Sequence, residues 1–110
     1  MEWVTAADIL TGAGASSTPS AADQEYADLC ASAVNDGMAA RLAGAILTDP
    51  PSDELTLVAR LAGVEAYKRR EAVFGATGYI DLQGAAVRVA RDYLDSYAPI
   101  LARYATFGLG

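Results

Sequence analysis

The stretch TDPPSDELTLVARLAGVEAYKRR, residues 48–70, holds a stop and a restart in one line. Consecutive prolines at 50 and 51 lack the N–H that a helix interior needs, so any helix before them ends there. Ser52 then offers a hydroxyl to the first free N–H groups, and Asp53 and Glu54 suit the positive end of a new helix. From Leu55 to Ala66 the plainly polar side chains are Thr56, Arg60 and Glu65. A helix apolar nearly all round is buried on most sides. In a chain of 110 residues that predicts a central helix which also meets another subunit. The spacing carries it through Tyr67, Lys68, Arg69 and Arg70 to about Phe74, with Gly75 just past its end.

Upstream, Ser20 is placed to cap a helix, with Asp23 three residues on and Glu25 close behind. Tyr26, Leu29, Cys30, Ala33, Val34, Met38, Leu42, Ala45 and Ile46 recur at helical spacing. Asn35-Asp36-Gly37 is a weak point within it, since these residues favour turns. Further upstream, Thr5 caps a short helix, Ala6 to Thr11, stopped by Gly12. GAGASSTPS, residues 12–20, is by composition a flexible linker. Downstream, Asp81 caps a last long helix with Leu82, Ala86, Val89, Ala90, Tyr93 and Tyr97 on one face. Arg88–Asp92 and Arg91–Asp95 are i,i+4 pairs on another. Pro99 kinks or breaks that helix, leaving a short final turn and an extended tail. The fold class is therefore all-α: a small bundle of about four helices, one domain over residues 1–104.

Composition agrees. The hydrophobic share is 53%, much of it alanine, the best helix former, and β-branched residues are few. Alanine-rich helices bury little apolar area each, so packing against other copies or a partner would add stability. The net charge of −6 argues against gripping nucleic acid through its phosphates. Residues 1–59 carry nine acids and one base, residues 60–110 five acids and seven bases. Two copies could use this polarity head to tail. Cys30 is alone and there is no histidine, so no internal disulfide, zinc cluster or ordinary catalytic triad is expected. Met-Glu-Trp, with no basic start and no apolar stretch after it, leads us to expect no signal peptide. The apolar run from Met38 to Leu47 is broken by Arg41 and too short for a bilayer.

The one stretch that hints at chemistry is YKRREAVFGATGYIDLQGAA, residues 67–86. Its glycines lack the spacing and the Lys-Ser/Thr pair of a phosphate-cradling loop, and no strand precedes it. Lys68, Arg69 and Arg70 lie in the last turns of a helix, where cations are favoured. No pair of carboxylates stands out for acid–base work, and serines sit at caps or in the linker. No enzyme, cofactor or metal is expected.

EAVFGATGYIDLQGAAVRVARDYL, followed by Pro99 and a terminal FGLG, resembles the head-to-tail adaptor (head-tail connector) proteins of long-tailed bacteriophages. The matching positions are Glu71-Ala72, Gly75, Gly78, Asp81-Leu82, Gly84, Ala86, Arg88, Ala90-Arg91 and Asp92-Tyr93. The GAGASSTPS linker departs from the tight turn of that family, which bears on the placement of the first helix. The resemblance implies a structural protein of the virion neck, made in the host bacterial cytoplasm. Such proteins form a ring of about twelve copies with heterologous contacts. The ring docks under a portal protein, extends the DNA channel and meets a stopper or tail-completion protein, while genomic DNA passes without specific binding. The family's portal-docking segment maps onto Ala105, Thr106, Phe107, Gly108, Leu109 and Gly110.

A ring gives the charge asymmetry a use: Arg60, Lys68, Arg69 and Arg70 of one copy are expected to face Asp23, Glu25, Asp28 and Asp36 of the next. The alternative reading is a small helical interaction module of the helical-hairpin secretion type. That family's Trp-x-Gly turn is absent, since Trp3 stands at the start. A helix-turn-helix regulator is a third reading, opposed by the acidic balance.

Overall fold

A computed structural model describes residues 2–15, 18–45, 47–69 and 93–109, the side chains beyond 104 excepted. Four helices of seven or more residues and no strand are found among them: α1 (Ala6–Gly12), α2 (Ala21–Arg41), α3 (Asp53–Lys68) and α4 (Ala98–Leu109). The all-α expectation holds.

Each of the first three helices begins where the cap chemistry places it. Thr5 Oγ1 accepts from the Asp8 N–H at 3.1 Å, and the Asp8 carboxylate accepts from the Thr5 N–H at 3.1 Å. This reciprocal pair satisfies two donors that a helix start leaves orphaned. Ser20 Oγ accepts from the Asp23 N–H at 3.1 Å, and Ser52 Oγ from the Leu55 N–H at 3.3 Å.

The helix ends were less legible. α1 takes in Gly12 and closes through Gly14 N–H to Thr11 O and Ala15 N–H to Leu10 O, with Gly14 at φ 74°. The first part of the segment read as linker is thus a helix terminus in the left-handed conformation that glycine adopts without strain. α2 stops at Arg41, not at Ile46, with Gly44 at φ 84°. Leu42 and Ala45 still pack on the core from beyond its end, so the helical spacing outlasts the helix. α3 ends at Lys68, capped by Arg69, six residues before Phe74. Phe74, Gly75 and the expected start at Asp81 lie outside the described residues.

Residues 93–95 are helical, followed by a turn at 96–97. Pro99 then falls in the first turn of α4, where its missing N–H was not needed and its fixed φ suits a helix. The Tyr97 carbonyl accepts from the N–H groups of both Ile100 and Leu101. The expected short turn and extended tail are instead a helix carried to Leu109.

The core joins all four elements: Val4, Ile9, Tyr26, Cys30, Val34, Met38, Leu55, Ala59, Ala62, Leu94 and Leu101 are buried together. Each large side chain removed from water here contributes roughly 1.5–3 kcal/mol. Close approach of α1 to α3 depends on Gly63: a Cβ there would meet Ile9 Cδ1 at 2.8 Å and Cγ1 at 2.9 Å. The rings of Tyr26 and Tyr67 meet with centroids 5.8 Å apart. The start of α2 therefore lies beside the end of α3, and the two helices run antiparallel.

Candidate functional site

The antiparallel pairing of α2 and α3 reshapes the charge pattern. Asp23 and Glu25, near the start of α2, share an end of the molecule with Lys68 and Arg69, because Tyr26 and Tyr67 join those termini. Among the described residues, acids of the first half of the sequence and bases of the second thus meet at one end of the α2–α3 pair. Each expected interface residue can be placed. Glu25, Asp28 and Asp36 are exposed and Asp23 half-buried on α2; Arg60, Lys68 and Arg69 are exposed; Arg70 lies outside the described residues. Arg60 has a partner within its own chain, Asp8 of α1, at 3.6 Å. The Arg69 guanidinium stands 5.9 Å from the centroid of the Tyr93 ring. Ala105 to Leu109 continue the backbone of α4, and Gly110 lies outside the described residues.

Asp28 and Asp36 line an open groove of about 750 Å³ between the N-terminal segment and α2, together with Glu2, Thr5, Ser32 and Asn35. Its edge is built by Asn35. The Oδ1 atom accepts from the N–H groups of Trp3 at 2.8 Å and Val4 at 3.2 Å, and Nδ2 donates to the Val4 carbonyl at 2.8 Å. A side-chain amide carries the same donor and acceptor as a peptide group, so it pairs with an extended backbone as a neighbouring strand would. Two residues on, Gly37 leaves room for Leu94: a Cβ would sit 2.6 Å from Leu94 Cδ1. Asn35-Asp36-Gly37 does not interrupt α2. It holds the N-terminal segment on one side and admits Leu94 on another.

A second polar cluster ties α4 to the start of α3. Tyr104 Oη donates to Glu54 Oε1 at 2.9 Å and lies 3.3 Å from Ser52 Oγ, while Arg103 reaches both Glu54 oxygens at 3.3 Å. Arg41, in the last turn of α2, pairs with Asp95 at 2.5 Å. Asp95 had been expected to pair with Arg91, which lies outside the described residues. None of these long-range partners is visible in sequence spacing, because each joins elements far apart in the chain.

Chemistry does not converge anywhere in this set. Among the described residues no three metal-ligating side chains come together, and Cys30 is buried in the core. No described helix is long and apolar enough to cross a membrane. What the surface does offer is apolar: Leu57 and Leu61 of α3 are 55% and 41% exposed, the large hydrophobic side chains that the described core leaves out. Comparison with protein-family models, with curated proteins and with solved structures finds no match.

Proposed function

We propose that this chain is a structural adaptor subunit of a bacteriophage neck, one copy of a ring that extends the portal channel toward a stopper or tail-completion protein. The observation that carries the reading is the glycine-spaced sequence pattern from Glu71 to Tyr93, with Pro99 and the terminal Phe107-Gly108-Leu109-Gly110. A small all-helical body of this length suits the role, and Leu57 and Leu61 give it an apolar face for a neighbour. In a ring, that face and the acidic groove beside Asn35 belong to contacts between copies, while the last helix reaches toward the portal. The net charge of −6 suits a channel that lets DNA slide without holding its phosphates.

Cryo-electron microscopy of particles from the encoding phage tests this directly. A ring of this chain between portal and tail is the expected result. Tailed, DNA-filled particles that lack the chain would overturn it. A truncation after Tyr104 is expected to yield filled heads that fail to join tails.

A further inference from the structure

We draw no further inference here: the strongest candidate, the open groove between the N-terminal segment and α2, is an acidic cluster of exposed side chains, Glu2, Asp28 and Asp36, and nothing in the structure shows what fills it.

Discussion

The middle of α2 and the outer face of α3 invert each other. Asn35-Asp36-Gly37 has the composition of a turn, yet it is unbroken helix, bonded to residues 3 and 4 and packed against Leu94. Leu57 and Leu61 have the composition of a core, yet they face outward. In the first case tertiary contacts override a weak local preference. In the second, the helix has more apolar surface than α1, α2 and α4 can cover. A residue's own tendency says what it can tolerate; its neighbours decide which tolerance is used.

If the contrast is right, the largest loss should come from Asn35, in the stretch whose composition marks a weak point of α2. Asn35→Ala removes three hydrogen bonds and leaves two N–H groups and a carbonyl half-buried, a cost of about 2–4 kcal/mol. Urea unfolding at concentrations where the chain is monomeric would measure it, and a loss below about half a kcal/mol would erase the contrast. Next in size is Gly63→Ala, on the inner face of the same helix that bears the exposed leucines. Overpacking against Ile9 outweighs the gain in helix propensity, leaving a net loss of about 1–2 kcal/mol.

Ser52→Ala, which removes the cap of α3 and a neighbour of Tyr104, should cost about 1 kcal/mol by the same measurement. The smallest effect belongs to Leu57→Ala, expected within about 0.5 kcal/mol for the monomer. A loss of two or more there would mean that Leu57 is covered after all, and the two regions would no longer differ.

Helix starts were legible because capping is local chemistry: Thr5, Ser20 and Ser52 each needed only a hydroxyl and the residues just after it. The core positions of α2 followed from spacing, with Tyr26, Cys30, Val34 and Met38 buried as their period requires. Helix ends were not legible, since a terminus depends on where the chain must go next. Leu42 and Ala45 serve the core equally well from a turn, and Pro99 opens a helix as readily as it closes one. The charged residues expected at an interface were legible as residues, and their placement was not. Their arrangement depends on α2 and α3 running antiparallel, which brings acids and bases of distant sequence to one end. The exposed leucine pair was half legible: spacing marks α3 as apolar nearly all round, and only the packing shows which of its leucines face out.

The three polar ties described above have a consequence for how the molecule comes together in time. Asn35 to Val4 spans 31 residues, Glu54 to Arg103 49 and Arg41 to Asp95 54. Contacts so distant form only after the intervening chain has surrendered its freedom, whereas α2 and α3 are separated by the eleven residues 42–52 and meet at less entropic cost. We expect folding to proceed from the middle outward, and pulse-labelled hydrogen exchange should protect amides of α2 and α3 before those of Trp3 and Val4. The end segments would then act as latches on a hairpin already made.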